Sequence, residues 1–307
     1  MKVVSPGVAS VQDAGRPAAR RFGVPPGGAL DVRAWALGNA VVGNAGGEAA
    51  VEVLAGVFEA EVQARVALAS FDGTIEVDGR PAAAWTALDV VERVRVVARS
   101  TSYLAVAGGI AVPAVLGSRS SLGGRLRGDD VLPLGRVTGA ALVLRRPPVP
   151  EAGPLRVVSG PQADRFDLEA LVSTAWSVGP DVNRLGLRLT GPALHPSGGA
   201  VLPDGVVPGS IQVPPDGRPI VTLADGPTTG GYPKVGVVAT VDLGRAGRLR
   251  PGDEVRFELV TVDEARSLRA AQRDPSAAGR AVPGAERLLS VNLVSDAVDV
   301  VEDEGAR

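Results

Sequence analysis

The run from Val206 to Leu243, VVPGSIQVPPDGRPIVTLADGPTTGGYPKVGVVATVDL, decides how the rest of the chain is read. Two β-like runs, Ser210–Val213 and Pro219–Ala224, flank Pro214-Pro215-Asp216-Gly217. Proline fixes φ and glycine accepts positive φ, so this joint predicts a tight turn between paired strands. A further strand, Val235–Val241, follows the segment Asp225-Gly226-Pro227-Thr228-Thr229-Gly230-Gly231-Tyr232-Pro233-Lys234. Two hydroxyls, paired glycines, a phenol and an ammonium are more than a connection between buried strands requires. Glycine pairs let N–H groups approach a ligand and threonine hydroxyls add donors. Thr228, Thr229, Gly230, Gly231 and Tyr232 are therefore candidate binding residues, with Gln212 on the preceding strand. Lys234 is the candidate catalytic group. Lys2 and Lys234 are the only lysines among 32 basic residues, and a compact ammonium with a tunable pKa is not interchangeable with a guanidinium. The plain alternative is a solvated lysine at a strand edge.

Outward from this run, the pattern is β-rich. A short strand near the N-terminus enters a loop carrying Gln12, Asp13 and Arg16, followed by GVPPGGALD. A loop of that length is either functional or disordered, and this one is too patterned for disorder. Asp31 opens a helix over Val32–Val42 with Ala34, Leu37, Val41 and Val42 on one apolar stripe, and Gly43-Asn44 closes it. Asn39 within it either bonds a neighbouring loop or presents its amide to a ligand. Between Val51 and Val106, period-two runs at Val51–Leu54, Phe58–Val62, Val66–Ala69, Thr74–Val77, Val94–Ala98 and Ser102–Val106 predict a barrel or sandwich. In Leu116–Ser121, Ser118 and Arg119 are placed either to contact an anion or to form a solvated turn.

The second half opens with a strand at Leu155–Ser159, Gly160-Pro161-Gln162 and a short helix at Asp164–Leu171. Strands at Trp176–Val178 and Leu185–Leu189 surround Asn183-Arg184. GRLRGDDVL (124–132) is echoed by GRLRPGDEVRF (247–257), each a Gly-Asp turn at the end of a β-rich half. The echo predicts duplicated barrels, joined by the proline-dense linker Arg145–Pro154. The expected division is 1–148, 149–262, and a helix and tail at 263–307, with a last strand within Leu288–Val301.

VVPGSIQVPPDGRPIVTLADGPTTGGYPK closely resembles the signature of the allophanate-hydrolase-subunit-2-like family, which includes the C-type subunits of 5-oxoprolinase, KipA-type proteins and half of the carboxyltransferase domain of urea carboxylase. VQDAGR with GVPPGGALD resembles the family's second signature, and the likeness runs from about Val3 to Val262. The chain departs from the family at Pro203-Asp204 (Ser-Glu in the family), at Gly226-Pro227 (Arg-Gln), at Gly38 (alanine) and at Leu187 (tyrosine). The resemblance implies a mainly β protein of two cyclophilin-like β-barrels with a few short helices. It implies a component of an ATP-dependent 5-oxoprolinase, opening 5-oxoproline to glutamate beside two other subunits, one KipI-like and one LamB/YcsF-like. The alternatives are a biotin-dependent carboxyltransferase component acting on a urea-like substrate, and a non-catalytic partner of a KipI-like protein. In either chemistry Lys234 would stabilise charge developing on a carbonyl oxygen, Asp13 or Asp225 would orient water or accept a proton, and Gln12, Arg16, Arg184 and Arg119 would bind substrate.

Composition closes off other classes. Net charge is −2, so nothing draws the chain to nucleic acid or an anionic membrane. There is no cysteine and one histidine, His195, which excludes thiolate sites and multi-histidine metal centres. The absence of a spanning apolar run and of a signal pattern makes the cytoplasm the default expectation. No phosphate-loop, dinucleotide, zinc-protease or nucleophile-elbow motif is present.

Overall fold

The computed structural model describes residues 1–44, 47–144, 148–199, 201–271 and 300–302. The chain is mainly β, with two nearly closed barrel-like sheets and a few short helices. It divides into two compact units. The first comprises Met1–Gly15 and Gly27–Pro150 with the last described strand; the second comprises Arg16–Pro26 and Glu151–Ala270.

In the first unit, β1 (Lys2–Ser5), β2 (Val8–Gln12), α1 (Val32–Val41) and β3 (Ala50–Glu61) precede β4 (Ala64–Ala69), β5 (Thr74–Val77), β6 (Arg80–Ala82), β7 (Leu88–Val90), β8 (Arg93–Ala98) and β9 (Ser102–Val106). The nine strands run in the order β6-β5-β8-β3-β9-β4-β7, with β1 and β2 also on β3. The sequence pattern predicts two strands between Val51 and Val62; the structure has one. The first half of β3 pairs with β2 and β9, and the second half with β1 and β8, so one strand serves both sides of the sheet. Val3, Phe58, Leu68, Ile75, Leu104 and Ile110 fill the interior.

Helix α1 starts where expected, with the Asp31 carboxylate accepting from Ala34 N at 3.0 Å. Its single apolar stripe is too modest an expectation, because every residue from Ala34 to Val41 is buried. The departure at Gly38 has a packing reason: a Cβ there would lie 2.9 Å from the Ala69 Cβ on β4. A further strand, β10 (Leu142–Leu144), pairs antiparallel with the last described one (Val300–Glu302). That pairing falls at the end of the expected Leu288–Val301 strand, whose earlier residues lie outside the described ones.

In the second unit, β11 (Leu155–Ser159), α2 (Leu168–Ser173), β12 (Trp176–Asn183), β13 (Gly186–Thr190), β14 (Asp204–Gly205), β15 (Ser210–Gln212), β16 (Ile220–Thr222), β17 (Thr229–Gly230) and β18 (Lys234–Val238) are followed by α3 (Leu243–Ala246), β19 (Glu254–Val255), β20 (Phe257–Leu259) and α4 (Val262–Ala271). Eight of the strands form one sheet, β19-β12-β13-β16-β15-β18-β11-β20, while β14 and β17 make a separate two-stranded ribbon. The expected turn is present: Gly217, at φ +72°, donates its N–H to the Pro214 carbonyl at 2.9 Å. The strand expected to reach Val241 ends at Val238, because Thr240–Asp242 turns as a 3-10 helix. There the buried Asp242 accepts from Arg156 N, Nε and Nη2 at 2.9, 2.7 and 2.7 Å and from Arg245 Nη1 at 3.0 Å.

The sequence echo has a structural counterpart. Arg127 N donates to the Asp130 carboxylate and Arg250 N to the Asp253 carboxylate, both at 2.8 Å. The returning bonds, Asp130 N to Arg127 O and Asp253 N to Arg250 O, close the same four-residue turn in both units. Asp129 and Gly252 occupy its left-handed position at φ +68° and +88°.

Candidate functional site

Lys234 lies in the second unit at the start of β18, between β15 and β11. It is therefore on a central strand, and the reading of an edge lysine in water is incorrect: its side chain is only 4% exposed. Burying an ammonium is costly unless it is paired, and the partner is Asp204, whose carboxylate accepts from Lys234 Nζ and is itself 44% exposed. The departure Pro203-Asp204 thus keeps a carboxylate, one methylene shorter than glutamate. The Lys234 backbone is clamped by Gln162, which accepts from Lys234 N at 2.9 Å and donates its own N–H to Lys234 O at 3.3 Å. Gly160 permits this approach, since a Cβ there would meet Lys234 O at 2.4 Å.

Above the lysine, Asp204 pairs with Gly230 and Gly205 with Thr229 in the β14–β17 ribbon, and Val206 N bonds Thr228 O at 2.9 Å. Thr229, Gly231 and Tyr232 are exposed, whereas Gln212 is buried beside them. A Cβ on Gly230 would lie 2.7 Å from Gln212 Nε2, so a larger residue there would displace that amide. Lys234, Gln212, Thr228, Thr229 and Gly230 therefore come together as the sequence suggests. Asp204 and Gln162 join them without having been singled out. A carboxylate standing where the family has glutamate was the available signal for Asp204; Gln162 had no signal beyond its Gly-Pro-Gln setting.

Several other candidates have hydrogen-bond partners within the chain. Asp225 is held by Arg184 through two parallel bonds, Nε to Oδ2 at 2.9 Å and Nη2 to Oδ1 at 2.8 Å, with both groups buried. Asn39 donates to Trp35 O and Glu48 O and accepts from Asn44 Nδ2 at 2.6 Å, so its amide closes the end of α1. His195 is exposed.

In the first unit, Asp13 accepts from the Ser118 and Ser120 hydroxyls and the Arg119 amide, each at 2.6 Å, and from Gly15 N at 2.8 Å. Burial pushes this carboxyl up, but those four donors outweigh it and hold it below the ordinary carboxylate range. Ala29 N bonds Asp13 O at 2.9 Å, so the two signature segments and the Leu116–Ser121 loop are stapled at one point. Arg119 itself is exposed, and Arg16, which belongs to the second unit, is buried. Gln12 donates to Ser10 and Ser121 while its Oε1 is buried without a hydrogen-bond partner.

Fold and site define a two-barrel β protein whose second unit pairs a buried lysine with an exposed carboxylate on a Gly/Thr ribbon. The carboxyltransferase domain family, subdomain A and B, matches residues 22–259, and the chain belongs to it. It is 31% identical over 295 residues to the C-type subunit of 5-oxoprolinase from Escherichia coli (strain K12), spanning 89% of this chain and 95% of that protein. The corresponding subunit of Haemophilus influenzae is also 31% identical, over 85% of this chain and 91% of that protein. Among solved structures, the Kluyveromyces lactis urea amidolyase superposes with a TM-score of 0.76 at 28% identity, over 88% of this chain and 19% of that one. No helix among the described residues is long and apolar enough to cross a membrane.

Proposed function

We propose that this chain is the C-type subunit of a 5-oxoprolinase, a hydrolase component acting on a cyclic amide beside a KipI-like and a LamB/YcsF-like subunit in the cytoplasm. The observation that carries the reading is likeness over nearly the full length of two 5-oxoprolinase C-type subunits, joined to a buried lysine paired with a half-exposed carboxylate in the signature segment. An ammonium carries three donors and Asp204 accepts one of them, leaving others for the oxygen of a lactam carbonyl. As water adds to that carbon, negative charge grows on the oxygen and Lys234 stabilises it. The C–N bond then breaks and the ring nitrogen takes up a proton. The half-exposed Asp204 carboxylate would hold the attacking water, since every oxygen of Asp13 and Asp225 already accepts a hydrogen bond from the chain.

ATP would supply the driving force for ring opening. The Lys234–Asp204 pair is balanced in charge and lacks the excess positive charge a triphosphate needs, so no nucleotide step is assigned to these residues. The likeness to urea amidolyase favours a second reading, carboxyl transfer to a urea-like substrate with biotin as carrier, in which the same ammonium would face a ureido oxygen.

The test is reconstitution. The chain is purified with its KipI-like and LamB/YcsF-like neighbours and assayed for ATP-dependent formation of glutamate from 5-oxoproline. Turnover by the three together and none by any one alone is expected. Activity only with a biotin carboxylase, a biotin carrier and urea would replace this reading with the second.

A further inference from the structure

We propose that Arg20 is the residue of this site that binds the substrate's carboxylate, an inference that rests on the lactam reading above. Arg20 lies in the 3-10 turn Pro17–Phe22, which belongs to the second unit together with Lys234. Its Nη2 donates to the Val206 carbonyl oxygen, whereas its Nε is buried with no hydrogen-bond partner. A buried donor left unmade is costly, and an acceptor supplied by a ligand removes that cost.

The position of this donor is informative. Val206 is two residues beyond Asp204, so Arg20 and Lys234 hold the same extended segment at points about 7 Å apart. The Gln212 amide borders the same ribbon: the Cβ position of Gly230 is 2.7 Å from Gln212 Nε2 and 3.1 Å from Val206 Cγ2. A compact ammonium therefore stands at one end of the ribbon and a forked guanidinium at the other. The ammonium suits a single carbonyl oxygen, and the fork suits the two oxygens of a carboxylate. 5-Oxoproline carries both groups, a ring carbonyl and a carboxylate. Urea carries only the first, so Arg20 would be the residue that selects between the two substrate classes.

The experiment uses the reconstituted three-subunit complex with Arg20→Gln and Arg20→Lys. KM and kcat are measured for 5-oxoproline, and Ki for 2-pyrrolidinone, the same lactam without the carboxylate. Arg20→Gln should raise KM for 5-oxoproline about 10–100-fold, as expected for losing a bond to a charged group. It should leave kcat and the Ki of 2-pyrrolidinone within about twofold, and Arg20→Lys should recover part of the loss. A purely structural Arg20 would weaken both ligands together, and that result overturns the proposal while leaving the lactam reading standing. A wild-type complex that does not open 5-oxoproline overturns both.

Discussion

Two buried basic residues in the second unit face a carboxylate, and replacing each with methionine should have opposite consequences. Arg184 and Asp225 are both buried and joined by two bonds of 2.9 and 2.8 Å. Arg184→Met leaves Asp225, 7% exposed, as an uncompensated charge, and breaking such a pair costs about 3–5 kcal/mol. Lys234→Met also removes a buried cation, but the orphan is Asp204, whose side chain is 44% exposed and can hydrate. Methionine fills much of the lysine stem's volume and the cost of burying an ammonium is relieved, so the loss should be about 1 kcal/mol. At about 2–4 °C per kcal/mol, the second unit's calorimetric transition should fall by roughly 6–20 °C for Arg184→Met and by only about 2–4 °C for Lys234→Met. Activity should rank the other way. Lys234→Met should lose about 10²–10³ in kcat of the assembled complex, the usual effect of removing one donor to a developing oxyanion. Lys234→Arg should be similarly poor, because a guanidinium does not fit a closed site built for an ammonium. Equal destabilisation by the two methionine variants would refute the argument from the orphan's exposure. Near-wild-type turnover of both Lys234 variants would remove Lys234 from the chemistry.

Two further outcomes follow from the scaffold. Asp13→Asn should destabilise the first unit by about 2–4 kcal/mol near neutral pH, since four donors lose a charged acceptor. Because the folded-state pKa of Asp13 lies below its unfolded value, this stabilisation is present above the ordinary carboxylate range and is lost as pH falls through the folded value. The gap between wild type and variant in urea titrations should therefore close on acidification, and a gap independent of pH would count against the hub. Gly160→Ala would press a methyl group onto Lys234 O at 2.4 Å and Gly236 N at 2.8 Å, both backbone atoms, and should cost about 2–3 kcal/mol in thermal unfolding. A neutral substitution there would mean that β18 can shift freely against its neighbour.

Local structure was legible where its cause is local. The Pro214–Gly217 turn, the Asp31 cap and the strands Thr74–Val77, Ser102–Val106 and Leu155–Ser159 each follow from residues a few positions apart. What escaped depends on distant partners. Lys234 stood out in a lysine-poor chain, but its burial follows from β18 lying between β15 and β11, and β11 is far away in sequence. The span Ala50–Glu61 read as two strands, because a sequence pattern cannot show that one long strand exchanges partners midway. The same limit explains the site. Asp13, Arg184 and Asp225 attracted attention as charged residues in patterned loops, yet a charge in such a loop serves equally well to staple loops together. Exposure of the partner separates the two cases. Asp13 and Asp225 are enclosed with both oxygens bonded, whereas Asp204 keeps nearly half its side chain in water. A pair that is buried at one end and open at the other is stable enough to persist and accessible enough to meet a substrate. The Lys234–Asp204 pair has that arrangement; the Arg184–Asp225 pair, buried at both ends, does not.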